Sequence, residues 1–392
     1  MQTSINRPAD NSFKEIIITL LLGIAVGLLV YVFLRSLQWI EYQHQIWNQL
    51  SVPLHLVALP FCLIFLIELK KRTLYFPHQV SQVTEPKQEL AHHWNIWMTF
   101  FHLAGTLLSH LVGASVGREG AAILMASGFV RIFRLSWSFW GPIAAGIGFS
   151  AIVGVPWISL VLIMELFSTG LKQKIYALMG SLAAFLVLET LGTNHLFLKF
   201  NATYDPPFLQ KLFFVIVLGF TAGWMMKVYK WAYRQLKHFF TSSDWYVKFF
   251  VAIVLAAFLS QPFLRKFQSL GIQSFADLES LSANWSDVIS KLFVTLISVT
   301  LGFWGGEFIP LIFAGVHLGN IFSQVINFDL ATGAALAAFL LFAGATRLKW
   351  TSYFLTLALL GAGWWFWAYI LISTCVKVSG PYSLYREPDR TI

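Results

Sequence analysis

Short apolar runs, cut by glycine and proline, constrain this chain more than any other feature. A helix needs about 20 apolar residues to cross a bilayer. Residues 16–34 and 54–69 meet or nearly meet that length. Later runs at 121–132, 141–153, 157–167, 249–259 and 352–360 are too short to span alone. Several begin or stop at Gly117, Gly120, Pro142, Pro156, Gly305, Gly306 and Pro310. Broken helices at membrane depth are tolerated only where protein or water covers the freed backbone. The reading is an all-α integral membrane protein with many tilted and broken helices.

Composition agrees. Only 11% of the 392 residues are charged, against about 25% in ordinary soluble domains. That argues against a soluble enzyme, a disordered chain or a basic nucleic-acid binder. The net charge of +9 then reports orientation more than partners, because Lys and Arg collect in cytoplasmic loops. Arg7 and Lys14 precede the first run, residues 41–53 hold no Lys or Arg, and Lys70, Lys71 and Arg72 follow the second run. The expectation is a multi-pass protein of the plasma (inner) membrane with its N-terminus in the cytoplasm. Lys227, Lys230, Arg234 and Lys237 read as the solvated cytoplasmic end of one helix. Cys62 and Cys375 sit in apolar runs and read as buried membrane thiols, outside any zinc or disulfide pattern. No cleavable leader is evident in the polar residues 1–12.

A polar break at 192–206 divides the chain. The domain reading is a cytoplasmic tail at 1–12, a first half at 13–195, a linker at 196–206 and a second half at 207–392. Each half holds an apolar helix, a Gly-rich acidic turn and a new apolar helix. The first turn is Gly117-Arg118-Glu119-Gly120; the second is Gly305-Gly306-Glu307-Phe308-Ile309-Pro310. Paired interrupted segments in matching positions of two halves point to a transport site.

Each turn sets glycine at a helix start. Free backbone N–H groups and the positive end of the helix dipole then face the turn. Such a start binds an anion without a full positive charge. An ionisable group at membrane depth is a functional candidate by default. Glu119, ionised, is itself a tethered anion that can fill the site; protonated, it is neutral and can leave. One residue can thus be gate and proton carrier. Glu307 fits direct ion contact or support of its turn about equally. Arg118 reads as an anchor for a carboxylate or as a charge on the pathway.

These residues resemble the CLC superfamily of anion channels and proton-coupled antiporters. GREG at 117–120 and GGEFIP at 305–310 are similar to its two signature loops. SGPYSLY at 379–385 resembles its C-terminal loop, and two further matches follow Val155-Pro156 and cover residues 343–346. The resemblance implies a CLC-type inverted-repeat fold and a homodimer with one pathway per subunit. It implies that the Tyr385 hydroxyl contacts the central anion. The implied ion-binding set is Gly117, Arg118, Gly120, Gly306, Glu307, Phe308, Ile309 and Tyr385, with Glu119 as gate and proton carrier. Implied partners are an inorganic anion (fluoride or chloride), protons and membrane lipid; no cofactor, metal or nucleic acid is implied, and no enzyme activity. The chain leaves no room after Tyr385 for the regulatory domain of some relatives.

GGE is usual in the fluoride/proton antiporter branch. Leu166 stands where chloride/proton antiporters carry an inner glutamate, which fits that branch and also chloride channels. This chain departs from the family at Pro77-His78-Gln79-Val80, where a glycine is usual. Ala121 and Ile309 replace threonines of the fluoride branch, and Arg347-Leu348-Lys349 replaces Asn-x-Pro. The functional expectation is fluoride/proton antiport. The alternatives are a chloride channel or transporter of the same fold, and a transport-inactive membrane protein with a sensing or assembly role.

The other candidates read as structural. His92, His93, His102 and His110 lie on or beside one helix; packing outweighs metal binding there. Trp364, Trp365 and Trp367 read as a membrane-interface or dimer contact. Glu165 and Glu189 read as satisfied carboxylates in apolar helices.

Overall fold

The computed structural model describes residues 9–49, 53–73, 76–84, 95–193, 206–272, 278 and 281–386. The first half contains α1 (Ala9–Trp47), α2 (Leu54–Val57), α3 (Leu59–Arg72), α4 (Val80–Thr84) and α5 (Ile96–Leu111). Next come α6 (Glu119–Ile132), α7 (Trp137–Val153), α8 (Ile158–Leu166) and α9 (Leu171–Thr190). The second half contains α10 (Phe208–Ser242), α11 (Trp245–Ser260), α12 (Trp285–Leu301) and α13 (Phe308–Ile326). It ends with α14 (Leu330–Ala337), α15 (Leu340–Thr346), α16 (Lys349–Leu360) and α17 (Trp365–Val378). Most of the 196–206 linker, Arg7, His92 and His93 lie outside the described residues.

Burial explains several of the short runs. α7 is buried almost throughout, and so are α6, α13, α14 and α15. A helix that is apolar all round belongs in a protein interior. The outer helices instead expose large apolar side chains, among them Leu28, Leu186, Phe220 and Trp224. Among the described residues, four helices, within Ser12–Trp47, Leu171–Thr190, Phe208–Ser242 and Phe308–Ile326, are long and apolar enough to cross a membrane. Protein covers the short α6, α7, α14 and α15 and the longer α13, whereas α11, also short, exposes Phe250, Ile253 and Val254.

In each half, the first long helix packs on the last one: α1 on α9 and α10 on α17. Both contacts use a Gly-x-x-x-Gly stripe, Gly23/Gly27 and Gly219/Gly223. A Cβ on Gly27 would lie 2.9 Å from the Ala184 carbonyl, and one on Gly223 2.7 Å from that of Cys375. Small residues let membrane helices approach backbone to backbone, where packing replaces the missing hydrophobic drive.

The structure corrects three boundaries. α1 begins at Ala9, inside the segment read as a tail, and runs on to Trp47 through most of the expected 41–53 loop. Apolar residues 330–345, continuous in the sequence, form two helices, since α14 ends at Ala337 and α15 starts anew at Leu340. The last two residues of the first turn, Glu119 and Gly120, belong to α6, which starts at Glu119.

Glu165 is satisfied as expected, and it does a definite job. Its carboxylate accepts from the backbone N–H of Trp350 (2.6 Å) and of Thr351 (2.7 Å), and from the Thr351 hydroxyl (2.7 Å). It caps the start of α16 from another helix. Glu165→Ala is expected to cost about 1–2 kcal/mol, the loss of a helix cap. Thermal unfolding in detergent checks this; an unchanged midpoint would contradict it. Glu189 is exposed.

Candidate functional site

α6 and α13 each begin at a glycine turn, and the two turns touch. Gly306 N–H donates to the Gly117 carbonyl at 2.8 Å, and Gly117 N–H donates to the Gly306 carbonyl. This antiparallel bridge leaves no space for side chains. Gly305 has φ +148°, and a Cβ there would lie 2.6 Å from Val116 Cβ. A Cβ on Gly306 would lie 3.2 Å from Gly120 N. The cap residues Arg118 and Glu307 make no side-chain cap hydrogen bond. Two helix starts thus share one spot with donors left for a guest.

Glu119 fills part of that spot. It is 1% exposed, and its carboxylate accepts from Arg118 Nε (3.1 Å) and from Arg118 N–H (3.2 Å). Arg118 is therefore the anchor of this carboxylate, one of the two roles open to it from sequence. A buried ion pair is held strongly only while both partners are charged. Neutralising Glu119 loosens it from Arg118 and from the helix start together. Ala121 and Ile309 are buried and apolar, so neither adds a ligand.

Tyr385 closes the site from the C-terminal loop. It is 3% exposed, and its hydroxyl has no hydrogen-bond partner among the described residues. That hydroxyl lies 4.0 Å from where a Gly306 Cβ would sit. A buried hydroxyl without a partner costs roughly 1–3 kcal/mol, so it marks a place for a polar guest. The loop is tied down around it. Ser383 Oγ donates to the Thr346 carbonyl (2.6 Å), Leu384 N–H to that of Ala345 (3.1 Å), and Thr84 Oγ1 to that of Tyr385 (3.1 Å).

Lys230 corrects the sequence reading. It is 2% exposed rather than solvated, while Lys227, Arg234 and Lys237 are exposed. Its ammonium donates to the Gly344 carbonyl (2.9 Å), the Ser379 hydroxyl (3.2 Å) and the Tyr382 carbonyl (2.7 Å). It thereby joins α10, α15 and the Tyr385 loop. The signal was in the sequence: Lys230 falls on the same stripe as the buried Ala222, Met226 and Tyr233. Lys230→Met keeps the stem and removes three charge-assisted bonds, so the loop is expected to loosen. Limited proteolysis after residue 378 should speed at least about tenfold, as loss of one such bond alone predicts. Unchanged cleavage would contradict the clamp.

Phe308 is ringed by aromatics. Its centroid lies 4.6 Å from Phe342 (78°), 5.5 Å from Phe149 (87°) and 6.0 Å from Phe339 (40°). Phe342 in turn meets Tyr385 edge-on at 5.8 Å. Edge-to-face rings carry positive edges, so this cluster gives the site a soft, dry wall. Phe149 and Phe342 were not singled out from sequence, because one Phe among 37 carries no positional signal.

Glu307 is buried and lines a cavity of about 50 Å³ with His78, Tyr233, Trp304 and Tyr385. A second cavity of about 950 Å³ opens beside the Tyr385 loop, lined by Arg234, Arg347, Tyr382, Ser383, Arg386 and Glu165. The remaining candidates go elsewhere. His102 faces His78 and Trp304, and His110 Nδ1 lies 2.9 Å from Ser269 Oγ. Trp364 and Trp367 are buried within the chain, with Lys211 Nζ 5.5 Å over each ring, so only Trp365 is free for an outside contact. Cys62 is half-buried and Cys375 buried.

The pattern of the voltage gated chloride channel family matches residues 70–376. The chain is 26% identical over 302 residues to a chloride/fluoride channel protein of Pseudomonas syringae pv. tomato. That match covers 72% of this chain and 66% of the relative, just under two thirds of its length. It is 25% identical over 374 residues to the voltage-gated ClC-type chloride channel ClcB of Salmonella typhi, covering 87% and 88% of the two chains. Among solved structures, a CLC-type fluoride/proton antiporter superposes with a TM-score of 0.82 at 19% identity, covering 98% of each chain. A slow cyanobacterial Cl-/H+ antiporter superposes at 0.79 and 17% identity, covering 95% and 96%. These two likenesses establish the all-helical fold.

Proposed function

The chain belongs to the voltage gated chloride channel family, and from that premise we propose that it exchanges an inorganic anion for protons across a membrane. The cargo is fluoride, exported, and Glu119 is both gate and proton carrier. The observation that carries this reading is the buried Tyr385 hydroxyl, without a partner among the described residues, beside two touching helix starts, one of which holds the tethered Glu119 carboxylate.

The mechanism follows from charge. An entering anion competes with the Glu119 carboxylate for the same N–H groups and for Arg118. A proton on Glu119 ends that competition in the anion's favour. Backbone dipoles and the Arg118 guanidinium then hold the anion. The Arg-rich mouth formed by Arg234, Arg347 and Arg386 draws anions toward the Tyr385 loop. Gly117, Gly120, Gly306 and Ile309 form the backbone wall in this reading. Phe308 presents ring edges, and Glu307 faces the small cavity.

The same reading makes the protein a homodimer of the plasma membrane, with Lys70 and Lys237 on the cytoplasmic side. Residues 13–195 and 207–392 are its two inverted halves. The matched pair of Gly-x-x-x-Gly contacts supports that repeat.

One observation favours a chloride-carrying variant: Ala121 and Ile309 leave the site less polar than a strongly hydrated fluoride would favour. The two are separated by efflux from liposomes holding purified protein. Fluoride should leave faster than chloride at equal gradients. Faster chloride efflux would establish the variant instead.

A further inference from the structure

We propose that His78 is a proton station, feeding Glu307 through a small hydrated chamber separate from the anion's mouth. This rests on the proton-coupled reading above. The 77–80 loop does not form a glycine turn at the anion site. It puts an imidazole beside a buried carboxylate.

The geometry is specific. His78 Nε2 lies 3.2 Å from the Thr73 carbonyl, so Nε2 carries the hydrogen and donates it. Nδ1 is then the free lone pair, and it is buried without a hydrogen-bond partner among the described residues. Trp304 Nε1 and Tyr385 Oη are buried and partnerless in the same way. All three residues line the cavity of about 50 Å³ that Glu307, Gly120, Gly305 and Gly306 also line, so the chamber abuts the two helix starts at its inner end. A cavity needs roughly 10–15 Å³ to hold a water, and the water needs two to four polar partners. This one has the room, and three of the residues lining it carry orphaned polar atoms that can serve as the partners. The rings of His78 and Trp304 lie 4.9 Å apart, and those of His78 and His102 5.7 Å apart, so the imidazole is held in place.

The chamber has its own entrance. Gln79 donates to Tyr233 Oη (3.3 Å) and accepts from Lys237 Nζ (2.8 Å) at the end of α10. Lys70, exposed at the end of α3, lines the same cavity. The groups facing His78 are Lys70 from α3, His102 from α5, Tyr233 from α10, Glu307 before α13 and Tyr385 from the C-terminal loop. Lys70 is the fixed cation among them and Glu307 the carboxylate. The larger Arg-lined mouth shares none of these groups. Two entrances on one face allow protons and anions to arrive by different doors.

The step balances as proton transfers alone. Nδ1 of His78 takes a proton from hydronium at the Lys70 entrance, leaving water, and becomes imidazolium. It returns a proton through chamber water to the Glu307 carboxylate, which becomes neutral, and imidazole is restored. No bond between heavy atoms forms or breaks.

The test uses purified full-length protein in liposomes, with fluoride efflux by electrode and proton uptake by pH dye. His78→Gln fills the same space but carries no proton. The number of protons moved per fluoride is expected to fall at least about a hundredfold, the lower end for removing a general acid–base group. His78→Glu restores a carrier. It should recover coupling, with the pH of half-maximal proton flux shifted about 2 units toward acid, the gap between the ordinary values of the two side chains. If His78→Gln does not fold, that acid shift in His78→Glu still decides the matter. Unchanged coupling in His78→Gln, or an unshifted pH profile in His78→Glu, overturns the proposal and leaves antiport intact. Wild-type protein that moves fluoride without protons overturns both.

Discussion

Glu119→Gln is expected to stop proton movement while anion flux continues. Glutamine has the shape of the protonated acid but cannot give or take a proton. The carboxylate that competes with the anion is gone, so the gate stays in the state a proton would produce. Proton flux should fall by about 10²–10⁴, the usual worth of a positioned acid–base group. Stability should also change, in a way that identifies the site. Arg118 is 6% exposed and loses its counter-charge. Breaking a buried pair from one side costs about 3–5 kcal/mol. A bound anion can repay that loss by taking the place of the carboxylate. The melting temperature of Glu119→Gln should therefore rise more steeply with fluoride than that of the wild type, by simple mass action. Equal slopes would mean that the anion does not bind at this helix start. All fluxes unchanged in the variant would favour a transport-inactive protein.

Tyr385→Phe is expected to separate binding from folding. The lost hydroxyl has no partner among the described residues, so its removal takes nothing from the fold. Removing an orphaned buried polar group can even be neutral or stabilising. The anion, in contrast, loses a donor. A hydrogen bond to a charged group is worth about 1.5–3 kcal/mol, or about 10- to 150-fold in affinity. Anion titration by calorimetry, beside thermal unfolding without anion, reads both quantities. Weaker binding at an unchanged melting point is the expected result. Unchanged affinity would remove Tyr385 from the site.

What could be read from the sequence and what could not divides along a physical line. The two turns were legible because glycine is demanded by backbone contact. Gly117 and Gly306 bond to each other directly, and no other residue leaves that space. The broken-helix architecture was legible because short apolar runs have few places to go in a membrane. Tyr385 was legible only through its family resemblance; nothing in SGPYSLY itself says that the loop folds back onto the turns. The unread parts depend on long-range packing. Lys230 looked solvated among Lys227, Arg234 and Lys237, and only its position on the buried stripe of α10 sets it apart. Trp364 and Trp367 read as interface or dimer contacts, but Phe208 and Lys211 of α10 pack against them. His78 appeared only as a missing glycine, because its meaning comes from Trp304 and Glu307, more than 200 residues away.

The most direct test of the account is uphill proton movement driven by fluoride alone. Liposomes containing the purified protein are loaded with fluoride, at equal pH inside and outside, with the membrane potential clamped. As fluoride runs out, the account predicts that protons are drawn in and the lumen acidifies. Glu119→Gln liposomes should lose fluoride without that acidification. Wild-type liposomes that release fluoride at constant internal pH would contradict proton-coupled exchange.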